Sequence, residues 1–355
     1  MIHLSFGAED LARIRFAFSP LWEAVLSLRT LSTGGAHGLH TPWVRLVGAR
    51  LHRSRGGTAA GAPADGDVPA GLPPDLDLLF ALVRPAGYIP DFLQPVPAGR
   101  TSSFGSELDR LAGTDPGILS AELTHLAGHR LAQQGPDQAR RVALLHRLAA
   151  DPPAALAGIV TALDRYWQLA VAPYWPRIEA LLQADLSWRL DQLAGGGLSQ
   201  LLRTLHPQVS FAHGEMRIVK YYEGRADLGG RGLLLVPSVF AWPDVVVRTA
   251  DPQPIVTYPP RGIGRLWDRT PGTSGGPLGE VLGHSRAAIL RQLDLPMSTT
   301  QLAGLLDLTP ATLNAHLKAL QGAGILSARR AGRAVLYSRT SLGESMATTA
   351  GQRDR

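Results

Sequence analysis

The chain contains a single asparagine, Asn314, set among small and polar residues: Thr309, Pro310, Ala311, Thr312, Asn314, Ala315, His316 and Lys318. A short amide stem carries one acceptor and one donor pair and can bond both edge groups of an adenine at once. Alanines at 311 and 315 leave room for a helix face to enter a groove. Thr312 suits a thymine methyl or a phosphate oxygen, Lys318 suits a phosphate, and His316 suits either a phosphate or a helix-packing position near the wing. Downstream lie Arg329, Arg330 and Arg333, and no acidic residue occurs between Lys318 and Arg339. Cations without compensating acids are placed to grip a polyanion. Thr299, which opens the preceding helix, and Thr309 complete the candidate contacts.

Other residue patterns point to other chemistry and carry less. Glu122, His125 and His129 have the spacing of three ligands on one helix face, but isolated histidine pairs of this kind are mostly surface or packing residues; no metal is expected. Gly272-Thr273-Ser274-Gly275-Gly276 matches a nucleophile elbow in letters only. That motif needs a strand before it and a helix after it, whereas here Pro271 and Pro277 bracket it. With no cysteine in the chain, disulfides, thiolate metal sites and cysteine nucleophiles are excluded. Phosphate-cradling and zinc-protease motifs are missing too, so neither a cofactor nor an enzymatic activity is expected. Tyr166, Trp167, Tyr174, Trp175 and Trp188 form an aromatic group that most often fills a core. The first four are also candidate contacts for a small molecule, since aromatic clefts between helices are common ligand sites.

The elements that must position Asn314 are legible around it. Leu278, Leu282, Ile289, Leu290 and Leu293 give a helix with one apolar face, ended by Pro296. Ser298-Thr299-Thr300-Gln301 is a capping box, predicting a second helix to about Leu306. Thr309 caps a third helix with Pro310 at its first position, anchored by Leu313, Leu317 and Leu320. A hairpin follows, Ile325 to Arg330 and Arg333 to Arg339 about a turn at Ala331-Gly332. Two short helices joined by a tight turn and followed by a basic hairpin make a winged helix-turn-helix. Between Leu278 and Thr340, seven basic residues (Arg286, Arg291, Lys318, Arg329, Arg330, Arg333, Arg339) face three acidic ones (Glu280, Asp294, Asp307), so this stretch supplies +4 of the chain's net +6.

The rest of the 355 residues leaves room for two or three domains. A strand is expected at Ile2 to Leu4, another at Ile14 to Phe18, and a helix from the Ser19-Pro20 cap to about Leu31. Residues 53–75 are rich in Gly, Ala, Pro and Asp and read as a surface loop. Helical spacing dominates residues 75–202, with a turn at Gly195 to Gly197. Beyond Pro207, short β-type runs at 209–211, 216–222, 233–236, 245–247 and 255–258 suggest an antiparallel meander. The expected fold is therefore α+β: a mainly helical region over 1–206, a β meander over 207–268 packed on it, a linker over 269–277, the winged helix-turn-helix over 278–340 and a tail over 341–355. No run of 18 or more apolar residues appears in the sequence, so no membrane span is expected. The N-terminus has no signal-peptide pattern, and a cytoplasmic location is the expectation.

The run STTQLAGLLDLTPATLNAHLKALQGAGILSARRAGRAVLYSRT resembles the DNA-binding module of ArsR-type winged-helix regulators. Its marks are His316-Leu317, the exit from Leu320 to Ile325, and the arginine-bearing wing closing on Tyr337. The stretches FSPLWEAVLSLRTL, YWPRIEALLQADL, GLLLVPSVFAWPDV and YPPRGIGRLW are similar to a region preceding such modules in some actinobacterial regulators. The resemblance implies a homodimeric repressor of double-stranded DNA targets, its N-terminal region serving dimerisation, small-molecule sensing or both. The cysteine ligands of ArsR-type metal sensors are missing, which argues against metal sensing by that route. The alternative is an enzyme or protein-interaction protein using the winged helix only to dimerise. Enzymes built that way carry their cofactor domain after the winged helix, and only about 15 residues follow it here.

Overall fold

A computed structural model describes residues 1–33, 38–53, 74–129, 137–249, 252–267, 276–293, 296–306, 308–331 and 334–351. The chain opens with β1 (Ile2–Ser5), α1 (Ala8–Ala12), β2 (Arg15–Phe16) and α2 (Pro20–Ser32). Then come α3 (Thr41–Arg53), α4 (Pro74–Leu82), α5 (Phe104–Ala112), α6 (Pro116–Gly128), α7 (Gln138–Ala150), α8 (Pro152–Tyr166) and α9 (Trp175–Arg203). The strands β3 (Val209–Ala212), β4 (Glu215–Ile218), β5 (Gly224–Asp227), β6 (Leu234–Pro237), β7 (Val246–Arg248) and β8 (Ile255–Tyr258) follow. The last part holds α10 (Gly276–Leu282), α11 (His284–Gln292), β9 (Met297–Ser298), α12 (Thr299–Leu306), α13 (Pro310–Gly322), β10 (Leu326–Ala331), β11 (Ala334–Arg339) and α14 (Ser341–Gly351). The protein is α+β, mainly helical before its strands and ending in a winged helix-turn-helix.

The compact units are not successive stretches of chain. One comprises Ile14–Trp175 and Arg231–Thr257; the other comprises Met1–Arg13, Pro176–Gly230 and Tyr258–Arg355. The strands expected as one meander accordingly divide between two sheets. One has the order β2-β6-β8-β7 and the other β3-β4-β1-β5. Each recruits a strand from the first 16 residues: β2 runs parallel to β6, and β1 lies antiparallel to β4 and parallel to β5. Such pairings join residues more than 200 positions apart, which local periodicity does not encode.

In the first unit α2 is the central helix. Ser19 caps it, its hydroxyl accepting from Trp22 N, and Pro20 fixes the first turn. Ala17 and Trp22 pack with Leu234, Val236 and Ile255. Two carboxylates inside this unit are held by converging donors. The Glu23 carboxylate accepts from Ser238 Oγ (2.7 Å), Val239 N (2.8 Å) and Phe240 N (3.3 Å). Glu107 accepts from Ser19 Oγ (2.8 Å) and Leu21 N (3.0 Å). Burial outweighs these donors and pushes both carboxyls up to about 7.

The second unit contains α9 and the winged helix. Within α9, Asp185 and Arg189 are fully buried and joined at 2.8 Å. Asp185 also accepts from the Tyr258 hydroxyl (3.0 Å) and Arg261 N (3.0 Å). Arg189 donates to the carbonyls of Thr204 (3.2 Å) and Leu205 (3.3 Å). The turn expected at the triple glycine is a kink inside α9, where Gly197 takes φ +69°, a backbone region open to glycine at little cost.

Candidate nucleic-acid interface

The helix-turn-helix forms because each local signal agrees with the next. In the capping box, Ser298 N donates to Gln301 Oε1 (2.7 Å) and Gln301 N donates to Ser298 Oγ (3.3 Å). This starts α12 at Thr299. Thr309 starts α13, its hydroxyl accepting from Thr312 N at 3.3 Å. Leu313, Leu317 and Leu320 recur at helix spacing and are buried. They join Ile289, Leu290, Leu302, Leu305, Leu306 and Tyr337 in one apolar core. Gly324, at φ +68°, ends α13, with Ile325 N donating back to the Leu320 carbonyl at 3.0 Å.

With one face of α13 committed to that core, the other is left outside. Thr309, Ala311, Thr312, Asn314, Ala315 and Lys318 are exposed, and His316 is half-buried. The amide of Asn314 is oriented: Thr299 donates its hydroxyl proton to Asn314 Oδ1 at 3.3 Å. A carbonyl oxygen has two lone pairs, so this bond leaves Asn314 capacity for one further donor and keeps both its own N–H groups. Thr299 is half-buried and orients the Asn314 amide. The hydroxyls of Thr309 and Thr312 lie 2.9 Å apart, which turns Thr312 toward the start of the helix.

The wing is a three-stranded sheet in the order β10-β11-β9. Arg329 pairs across it with Leu336, and Arg330 with Val335. Arg329 and Arg330 are both exposed, yet as neighbours on a strand they point to opposite faces. Arg330 shares its face with Ala328, Tyr337 and Leu326, the last two of which are in the helical core. Arg329 lies on the far face, and its guanidinium meets the Asp191 carboxylate of α9 (3.0 and 2.9 Å). Asp191 stands 138 residues earlier in the chain, and no sequence pattern links the two. Arg333 lies outside the described residues. Arg339 turns inward, donating to the carbonyls of Leu290 and Arg291 (2.7 Å each) at the end of α11; its charge is used in capping. In the stretch expected as a tail, Ser341–Gly351 forms α14, with Met346 and Ala347 packed on the winged-helix core.

Elsewhere, the aromatic candidates occupy packed positions. Tyr166 is fully buried, its hydroxyl 2.7 Å from Ser27 Oγ. Trp167 stacks on Phe104 at 4.4 Å and lies 5.5 Å from Trp175. Tyr174 and Trp175 are half-buried, and the Tyr174 ring carries the Arg50 guanidinium at 5.4 Å. Glu122 is occupied by donors from the Tyr88 hydroxyl (3.3 Å) and Phe92 N (3.1 Å). His129 is the extended residue closing α6, so it leaves the helix face that Glu122 and His125 share. Among the described residues no three histidine or acidic side chains converge as metal ligands. Ser274 and the glycines around it at 272–275 lie outside the described residues.

Two parts of the chain are similar to known families. Residues 284–327 match the family model of a helix-turn-helix domain. This segment is a helix-turn-helix domain. The match begins with α11 and ends at the second residue of β10, so Arg329 and Arg330 lie just beyond it. Residues 91–263 match a family of unknown function (DUF5937). No curated protein and no solved structure gives a significant match to the chain.

Proposed function

We propose that this chain is a transcription regulator that binds double-stranded DNA sequence-specifically, with α13 in the major groove and the β10–β11 wing on the backbone or in the minor groove. One observation carries the reading: the outer face of α13 is lined by Ala311, Thr312, Asn314, Ala315 and Lys318, all exposed, and runs into an acid-free stretch up to Arg339. Small side chains permit close approach, Asn314 can distinguish adenine, and Lys318 with Arg330 supplies phosphate contacts. The ArsR resemblance extends the proposal to a repressor acting as a homodimer. Two recognition helices then meet successive major grooves roughly 34 Å apart. The preceding region serves dimerisation and effector sensing, an effector acting through unequal affinity for two arrangements of the reading heads. No catalytic step, cofactor or metal is part of the proposal. No described helix is long and apolar enough to cross a membrane, and a cytoplasmic setting is proposed on the regulatory reading.

The test is binding of the full chain to fragments of the DNA upstream of its own gene, titrated across salt concentrations. Affinity should exceed that for unrelated duplex and fall steeply with salt, because each neutralised phosphate releases counterions. Equal, salt-insensitive association with all fragments, or none at all, would contradict the proposal.

A further inference from the structure

On α9, Ala180, Ala184, Trp188 and Asp191 follow one another at helical spacing and form a single stripe. Ala180 and Ala184 are buried in the winged-helix core, and Trp188 packs against it. The stripe thus runs along the winged helix and ends at Asp191, which bonds Arg329 of the wing. The helix carrying Asp191 is firmly held, since Arg189 and Asp185, buried two and six positions earlier, tie it to Tyr258, Arg261, Thr204 and Leu205. The Arg261 guanidinium also lies 3.9 Å from the Trp188 ring centroid. The Arg329 face of the wing is covered at this level: Leu336, directly across the hairpin, is 8% exposed, whereas Val335 on the other face is 43% exposed.

We propose that Asp191 sets the DNA affinity of the winged helix: in the DNA-free protein its carboxylate holds Arg329, and a phosphate must displace it before that arginine contributes to binding. The inference rests on the DNA-binding reading. Both partners are partly exposed, at 60% for Arg329 and 41% for Asp191, and ion pairs in such surroundings are weak. A phosphodiester offers the same charge and similar acceptors, so exchange is easy. The two wing arginines therefore differ. Arg330 lies on the opposite face of the strand, which it shares with Leu326 and Tyr337. Arg329 is held in reserve, and any shift of α9 away from the wing raises affinity without altering the reading face.

The experiment is a double-mutant cycle on the full-length protein. It reads fluorescence anisotropy of a labelled mixed-sequence duplex across salt concentrations. Asp191→Asn should bind about three- to fivefold more tightly than the wild type. Its plot of log affinity against log salt should steepen by about 0.9, one additional phosphate contact. Combining it with Arg329→Ala should abolish the gain, while Arg329→Ala alone should change affinity little. An unchanged Asp191→Asn affinity overturns the inference. So does a gain that persists without Arg329, which marks a general effect of net charge. Arg330→Ala separates the layers: weakening by this change upholds the DNA-binding reading whatever Asp191 does. If no variant binds duplex, that reading and the inference fall together.

Discussion

Helices α2 and α13 are both 13 residues long and both open on a hydroxyl cap followed by proline, Ser19-Pro20 in one and Thr309-Pro310 in the other. Their surroundings diverge. In α2 ten residues are buried, among them Glu23 and Ser27; in α13 the buried residues are Leu313, Leu317 and Leu320. The caps decide where each helix begins. The width of the apolar surface decides what it is for: α2 is apolar on nearly every side and becomes the centre of a core, whereas α13 has one narrow seam and presents the remainder to solvent. The contrast extends to polar groups. In the α2 unit Glu23 and Glu107 are buried and held by converging donors, whereas Asn314 and Lys318 of α13 are exposed.

The largest effect should come from breaking the buried member of the pair. Trp22→Ala removes a ring packed with Ala17, Leu234, Val236 and Ile255 and should lower unfolding stability by about 3–5 kcal/mol, measured by denaturant unfolding. A loss below roughly 1 kcal/mol would show that α2 is less central than its burial implies. Leu317→Ala, within the seam of α13, should cost about 2–4 kcal/mol and abolish DNA binding with it. By contrast, Ala315→Ser on the outer face should alter stability by no more than about 0.5 kcal/mol. Equal costs for the two changes on α13 would erase the distinction between its faces.

Proton linkage sharpens the same comparison. Burial raises the Glu23 and Glu107 carboxyls from an ordinary 4.5 to about 7 in the folded chain, and Asp91 and Glu122 move in the same direction. The folded state then retains protons that the unfolded chain releases from 4.5 upward. Stability contributed by Glu23 and Glu107 is full below 4.5, falls as pH rises toward 7 and is flat above it. The fall is on the order of 3 kcal/mol for each of the two glutamates. Thermal unfolding followed over this range checks it; stability that rises with pH there would mean that the converging donors outweigh burial. A smaller effect is expected on the exposed helix: Lys318→Ala with Arg330→Ala should weaken binding to all duplexes alike and reduce the salt slope by about 1.8. Sequence-dependent losses would instead place these side chains on base edges.

Much of the winged helix was legible because its determinants are local. Ser298 and Gln301, Thr309 and Pro310, and the leucines at 313, 317 and 320 lie within one or two turns of one another. Their caps and spacing specify α12 and α13 without reference to the rest of the chain. The candidate face followed from the leucines by exclusion. The features that local sequence does not encode depend on distant partners. β5 has no apolar alternation in Gly224-Arg225-Ala226-Asp227 and becomes a strand through backbone pairing with β1. The inward turn of Arg339 depends on carbonyls at the end of α11, and a count of charges cannot show it. The hold of Asp191 on Arg329 likewise arises only after α9 has been laid along the winged helix.

The most direct measurement is selection of bound sequences from a random duplex pool by the full-length protein and by Asn314→Ala. If the outer face of α13 reads bases, the wild type enriches a defined motif, and the variant enriches the same motif with preference lost at a single adenine-containing position, a change of about 1–3 kcal/mol there. An identical motif from both proteins, or no motif from either, would contradict the assignment of Asn314 and α13 as the reading surface.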